Sequence, residues 1–254
     1  MIFFVGAGPG DKELITVKGI KLLKEADTII YAGSLVNPEL LEYAKEGCAI
    51  YNSASMTLEE VVAVMLQNEA GSLTTVRLHT GDPSLYGAIK EQIDLLIPHG
   101  ISYQVIPGVS SFAGAAAALG AEYTLPDVSQ TLILTRMEGR TPVPAKESIQ
   151  NLAKIRASMA IFLSSGMLPE LSARLLEGGY TENTPAAIVY KATWPDEKII
   201  RTTIGNLAAD GAANNISKTA LILVGDFLAG EYGRSLLYHP EFTHGYRAGT
   251  NQNE

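Results

Sequence analysis

Short apolar runs alternate along the chain with longer stretches whose apolar positions recur at helical spacing. Residues 2–5, 28–31, 73–78 and 103–106 are compact apolar or β-branched runs and read as buried strands. Between them, Leu14, Ile15, Val17, Ile20, Leu22 and Leu23 mark one helix. Thr57 and Glu60 have the spacing of a capping box, and the helix after them would turn Val61, Val64, Met65 and Leu66 inward. A further helix is expected to start near Ser84, carry Ile89, Ile93, Leu96 and Ile97, and end at His99-Gly100. A small-residue helix follows from Ala113 to Leu119. Strand and helix alternating in this way predict a mostly parallel sheet up to about residue 120.

After a Gly- and Pro-containing connection at 120–129 the pattern changes. Strands are expected at 130–134, 159–163, 185–190, 198–203 and 221–224, the last closing the sheet. Helices are expected at 146–154 and from the turn at 164–166 to about Glu177. The turn Trp194-Pro195-Asp196-Glu197 joins two adjacent strands as a hairpin, so this sheet should be mixed. The expected organisation is an α/β domain at 1–120 with a mostly parallel sheet, an α/β domain at 121–229 with a mixed sheet, and a flexible tail at 230–254.

Composition narrows the functional classes. The chain of 254 residues is 46% hydrophobic, 18% charged and carries a formal net charge of -8. That balance disfavours a general nucleic-acid surface, though a local basic group can still hold an anion. The single cysteine, Cys48, excludes an intrachain disulfide and fits a reducing, cytoplasmic setting. Residues 1–5 lack the basic segment of a signal peptide, and no apolar run approaches the roughly 20 residues of a membrane span.

Three strand-to-helix junctions carry the candidate chemistry. Arg77-Leu78-His79-Thr80-Gly81-Asp82-Pro83 ends a strand in a glycine turn, where open α/β sheets bind ligands. Asp82 or Ser84 could equally be an ordinary helix N-cap with Pro83 at the first helical position, and the residues alone leave both readings open. Gly6-Ala7-Gly8-Pro9-Gly10-Asp11 resembles a dinucleotide loop but fails the fingerprint. Asp11 stands where the third glycine belongs, Pro9 lacks an N–H, and the strand ending at Tyr31 runs into Ala32-Gly33-Ser34 without the ribose-binding acid. Pro107-Gly108-Val109-Ser110-Ser111 is the third junction, where the serines either cap the helix or leave its N–H groups to a ligand.

Other chemistries find little support. The histidines are His79, His99, His239 and His244, and only the last two have ligand-like spacing, so a metal site is not expected. There is no nucleophile elbow and no Walker-type phosphate loop. Arg77, Arg136, Arg140, Lys191 and Arg201 fall near strand ends in both halves. Singly they read as solvated surface; together they could line a groove for a polycarboxylate.

The ordered set Val5-Gly6-Ala7-Gly8-Pro9-Gly10-Asp11, Leu14-Ile15-Thr16, Gly81-Asp82-Pro83 and Pro107-Gly108-Val109-Ser110-Ser111 resembles the tetrapyrrole (corrin/porphyrin) methylases. The resemblance implies two α/β domains, S-adenosylmethionine as cofactor in the cleft between them, and a homodimer. By position it implies cofactor contacts from Pro9, Thr80, Gly81, Asp82, Leu85, Ser110, Ser111, Leu163, Ala192 and Thr193. Residues 132–144 and 189–198 resemble the branch that methylates C11 of precorrin-4, with cobalt-precorrin-4 as the anionic substrate of the anaerobic cobalamin route. Arg77, Arg136, Arg140, Lys191 and Arg201 are then the candidates for its acidic side chains. Forming a quaternary carbon at C11 leaves no proton to remove there, so no catalytic base is assigned. Alternatives are metal-free precorrin-4, another ring position such as that methylated in uroporphyrinogen III, or a binding module without transfer. Diphthine-type or ribosomal RNA methylation is a more distant option, and the acidic balance disfavours the RNA.

Overall fold

The protein is described by a computed structural model that covers residues 1–230 and 232–250. It divides into two compact units. One holds Met1–Ala118 with Lys191–Glu197; the other holds Leu119–Tyr190 with the chain from Lys198 onward.

The first unit contains a five-stranded sheet in the order β3-β2-β4-β1-β5, every pairing parallel. The strands are β1 (Ile2–Gly6), β2 (Thr28–Tyr31), β3 (Ala49–Asn52), β4 (Thr75–His79) and β5 (Tyr103–Ile106). The helices are α1 (Val17–Glu25), α2 (Leu58–Ala70), α3 (Ile89–Leu96) and α4 (Ser111–Leu119). Thr57 caps α2 in a full capping box: its Oγ1 accepts the Glu60 N–H and its own N–H donates to Glu60 Oε2.

Strand alternation gives this sheet two apolar faces. Val5, Ile29, Val76 and Leu78 pack with Leu22 and Leu23 of α1. Ile2, Phe4 and Ile30 pack with Val61, Val62 and Met65 of α2 and with Ile93 and Leu96 of α3. Thr75, Arg77 and His79 alternate onto this second face, opposite Ile2, Phe4 and Gly6 in the β1–β4 register. All three are buried, so the fully buried β4 carries a polar row. Asn68 of α2 donates to Thr75, and Gln92 of α3 accepts from Arg77.

Two local expectations change, and one strand has no counterpart in the sequence pattern. The helix expected near Ser84 begins at Ile89, because Tyr86 (φ 57°) and Ala88 (φ 49°) turn the backbone left-handed and break any helix. The exposed edge strand β3 carries no alternating apolar face and was not read from the sequence. Residues 221–224 do not close the second sheet; they form its middle strand.

That second sheet has the order β6-β7-β10-β8-β9. Its strands are β6 (Leu132–Arg136), β7 (Ser158–Phe162), β8 (Pro185–Tyr190), β9 (Lys198–Thr203) and β10 (Ala220–Val224). Only β6–β7 is parallel; β7–β10, β10–β8 and β8–β9 are antiparallel, so the sheet is mixed as expected. Helices α5 (Ile149–Ala153), α6 (Leu168–Glu177) and α7 (Leu207–Ala213) flank it. Its core joins Met159, Ile161, Ile188 and Ile222 to Leu168, Leu171 and Leu175 of α6. Beyond residue 230 the described chain is mostly exposed, with one 3-10 turn at Leu236–Tyr238. The expected tail also takes in residues 231 and 251–254, which lie outside the described residues. Among the described residues no helix is long and apolar enough to cross a membrane.

Candidate functional site

The three glycine junctions predicted from sequence leave the carboxyl ends of β4, β1 and β5, which are neighbours in the sheet. The connections from β1 and β4 lead to helices in different apolar clusters, α1 in one and α3 in the other. That divergence is the position in an open parallel sheet where ligands bind.

Backbone packing between the junctions is extremely close. Ala7 donates to the His79 carbonyl (2.7 Å), and Gly8 and Gly81 exchange hydrogen bonds of 3.2 and 2.8 Å. A Cβ on Gly108 would stand 2.2 Å from the Gly81 oxygen, and one on Gly6 would stand 2.6 Å from both that oxygen and the Gly108 Cα. These glycines are required because backbone meets backbone.

Asp82 ties two junctions together. One carboxylate oxygen accepts the Gly108 N–H at 2.8 Å. The other accepts the Ser84 N–H at 2.8 Å and the Ser84 hydroxyl. Burial alone would raise this carboxyl, but the hydrogen bonds from Ser84 and Gly108 outweigh it and hold the pKa below its ordinary value. Asp82 thus makes both the local capping-type bond to Ser84 and a second bond across to the β5 junction.

The cofactor candidates of the first unit gather around these junctions. Ser110 is buried, and a Cβ on Gly81 would lie 3.4 Å from its Cα and 3.6 Å from the Ser111 nitrogen. Thr80 is exposed and Leu85 half-buried. Pro9 is buried against α4: a Cβ on Gly114 would meet Pro9 Cβ at 3.0 Å and Thr193 Cγ2 at 3.3 Å. Ala192 is buried, and Thr193 Oγ1 accepts the Asp11 N–H at 3.0 Å. Leu163 belongs to the second unit, just past β7; it is 65% exposed with φ 53°, an unusual placement for an apolar residue.

The basic candidates are largely engaged by the protein itself. Arg77 is a correction: it is 7% exposed and donates to Gln92 Oε1 and the Ile30 carbonyl, both at 3.1 Å, so it braces the sheet rather than facing a groove. Burial without an acidic partner pulls its pKa down to about 10. Arg136 donates to the carbonyls of Met137, Thr141 and Pro142 and shapes its own loop. Arg201 donates to the Leu119 carbonyl at 2.9 Å. Lys191 pairs with Asp196 at 2.6 Å and lies 5.3 Å over the Trp194 ring. Arg140 is exposed.

Trp194, Asn37 and Glu197 join these residues without being among the sequence candidates. Trp194 Nε1 donates to the Pro9 carbonyl at 3.0 Å, and Asn37 Nδ2 donates to the Gly10 carbonyl at 2.9 Å. Glu197 Oε2 accepts the Thr193 N–H at 2.6 Å. The signal available in sequence was the chain's single tryptophan inside a segment carried over as a cofactor contact.

Comparison with known proteins agrees with this architecture. A curated cobalt-precorrin-4 C(11)-methyltransferase of Methanocaldococcus jannaschii is 56% identical over 97% of this chain and 95% of its own length. One of Priestia megaterium is 47% identical over 98% of both chains. A precorrin-4 C(11)-methyltransferase of Pseudomonas aeruginosa is also 47% identical, over 98% of this chain and 99% of that protein. Among solved structures, the cobalt precorrin-4 methyltransferase CbiF superposes with a TM-score of 0.88 at 49% identity, covering 89% of this chain and 95% of that one. A uroporphyrin-III C-methyltransferase of Thermus thermophilus, complexed with S-adenosylhomocysteine, superposes with a TM-score of 0.76 at 25% identity over 90% of this chain and 98% of its own. The family described as Tetrapyrrole (Corrin/Porphyrin) Methylases matches residues 1–208, and the chain belongs to it.

Proposed function

We propose that the protein transfers a methyl group from S-adenosylmethionine to C11 of cobalt-precorrin-4. The observation that carries this reading is near-full-length similarity, at 56% identity, to an enzyme of that activity. A finer reading goes with it: a cytoplasmic homodimer of the cobalamin route.

The donor set at the junctions fits this cofactor. It offers the hydroxyls of Thr80, Ser110 and Ser111 and peptide groups around Gly81 and Ala192, which suit ribose, adenine and amino-acid ends. The Asp82 carboxylate, held ionised by Ser84 and Gly108, supplies negative charge in the same wall. When bound, the cofactor supplies a methyl already activated by a sulfonium.

The chain's own part is alignment. Asp82 fixes the β4 and β5 junctions relative to each other, and Thr193 is locked between Asp11 and Glu197. A quaternary product carbon at C11 requires no ring proton to be removed. His79 accords with that: it is 3% exposed and pushed down to about 3 by burial and by Arg77, so it stays neutral and enclosed. Arg140, exposed on the loop braced by Arg136, is the second unit's candidate for a substrate carboxylate.

Metal-free precorrin-4 is the second reading, favoured by the 47% identity to the Pseudomonas aeruginosa enzyme. Turnover with S-adenosylmethionine and each precorrin, followed by mass spectrometry, separates the two. Methylation of the cobalt form at the higher kcat/KM is expected. A clear preference for the metal-free form would reverse the assignment, and binding of cofactor without transfer to either would leave a non-catalytic module.

A further inference from the structure

The first glycine loop, which resembles a phosphate cradle in sequence, is filled by a side chain of the protein. A Cβ placed on Gly10 would stand 2.1 Å from Trp194 Cδ1, 2.4 Å from Nε1 and 2.8 Å from Cγ, so the indole lies directly on the Gly10 backbone. The same indole donates to the Pro9 carbonyl at 3.0 Å. Asn37 takes the Gly10 carbonyl, Thr193 takes the Asp11 N–H, and Gly81 takes the Gly8 N–H. Most of the loop's backbone hydrogen-bonding groups are therefore consumed within the protein.

Residues 191–197 reach this loop after leaving β8 and before entering β9, yet they group with the first unit. Lys191 (φ 47°) and Thr193 (φ 69°) hold left-handed conformations that non-glycine residues adopt only when surroundings impose them. Four restraints impose them here: Trp194 on Gly10, Thr193 on Asp11, the Thr193 N–H on Glu197, and Lys191 on Asp196 and the indole face.

We propose that Trp194 is a positioning residue: seated on Gly10 and bonded to Pro9, it fixes the Ala192–Thr193 backbone in the conformation that receives the cofactor. The inference rests on the reading of Ala192 and Thr193 as cofactor contacts. Gly10 is a glycine because the indole occupies the space a side chain would need. Its conformational freedom is not the reason: unlike Gly8 and Gly81, Gly10 is not among the glycines with positive φ. Coupling between positions 10 and 194 is therefore specific, whereas general damage to the fold would not depend on the partner.

The test is a double-mutant cycle read by calorimetric binding of S-adenosylhomocysteine. Gly10→Ala in the native background displaces the indole and should raise Kd by about tenfold. The same change in a Trp194→Ala background should cost less than about twofold, since the obstructing ring is gone. Trp194→Phe keeps a ring over Gly10 and loses only the Pro9 hydrogen bond. It should raise Kd by about threefold to tenfold in a protein that stays folded and whose melting falls only by the loss of one hydrogen bond, a split that a merely structural role would not give. Because Trp194 is the only tryptophan, its emission reports the seat directly and should shift to the red in Gly10→Ala. Equal penalties for Gly10→Ala in both backgrounds, or native affinity in Trp194→Phe and Trp194→Ala, would overturn the inference while leaving the function intact. Failure of the unsubstituted protein to bind S-adenosylhomocysteine would overturn both.

Discussion

Acid should destabilise the first unit through His79. The side chain is 3% exposed, and its Nε2 has no hydrogen-bond partner among the described residues. Burial first, and the Arg77 charge second, lower its pKa from 6.5 to about 3. The unfolded chain therefore takes up a proton as pH falls below 6.5 while the folded chain does not, so the stability His79 provides is present above the unfolded value and lost below it. At about pH 5 the loss amounts to roughly 2 kcal/mol, from 1.36 kcal/mol per pH unit. That is a large fraction of the ~5–15 kcal/mol that holds a typical domain. Most carboxylate titration lies lower, so the interval from neutral to about pH 5 isolates the imidazole. The assay is urea unfolding followed by the emission of Trp194, which sits in the same unit. His79→Phe keeps a ring near Phe4, whose centroid is 6.1 Å away, and removes the titrating site. Wild type should lose roughly 2 kcal/mol more than the variant between neutral and about pH 5. Equal losses in the two proteins would show that His79 does not carry the acid sensitivity.

Three further substitutions check the local structure. Asp82→Ala leaves the Gly108 N–H and the Ser84 donors without their acceptor; it should cost about 1–3 kcal/mol and weaken S-adenosylhomocysteine binding. Unchanged calorimetric affinity would remove Asp82 from the site. Gly108→Ala drives a Cβ to 2.2 Å from the Gly81 oxygen and 2.8 Å from the Gly6 Cα, so thermal unfolding should show a loss of about 3 kcal/mol or no soluble protein. Thr57→Ala removes half of the capping box on α2 and should cost about 1 kcal/mol by urea titration with no effect on cofactor binding.

Periodicity made the parallel first sheet and the mixed second sheet legible, because buried strands and amphipathic helices repeat at different periods. It could not show that β4 carries a polar row: Thr75, Arg77 and His79 sit among apolar neighbours, and the partners of Thr75 and Arg77, namely Asn68, Ile30 and Gln92, lie on other elements. Arg77 was therefore grouped with surface cations, although the structure buries it. At residues 82–88, Asp82 and Ser84 have the chemistry of a helix start and make its first bond; what stops the helix is the left-handed backbone of Tyr86 and Ala88, which their identities do not announce. β3 leaves no periodic signal because none of its residues is buried, and α7 leaves none because its run of Ala and Gly has too little apolar contrast. That Thr80 to Asp82 and Pro107 to Ser111 form strand-end junctions is legible because glycine at strand ends is a local signal, and the structure packs the two junctions against each other. The seat of Trp194 on Gly10 links positions far apart in the chain, which no local pattern reveals.

Methyl transfer to one ring carbon is tested most directly by the fate of a labelled methyl. The protein is incubated with cobalt-precorrin-4 and S-adenosylmethionine carrying a carbon-13 methyl, and the product is read by carbon NMR. A single new labelled methyl on a quaternary carbon at C11 is expected. Label at any other ring position, or no transfer under conditions where the cofactor binds, would contradict it.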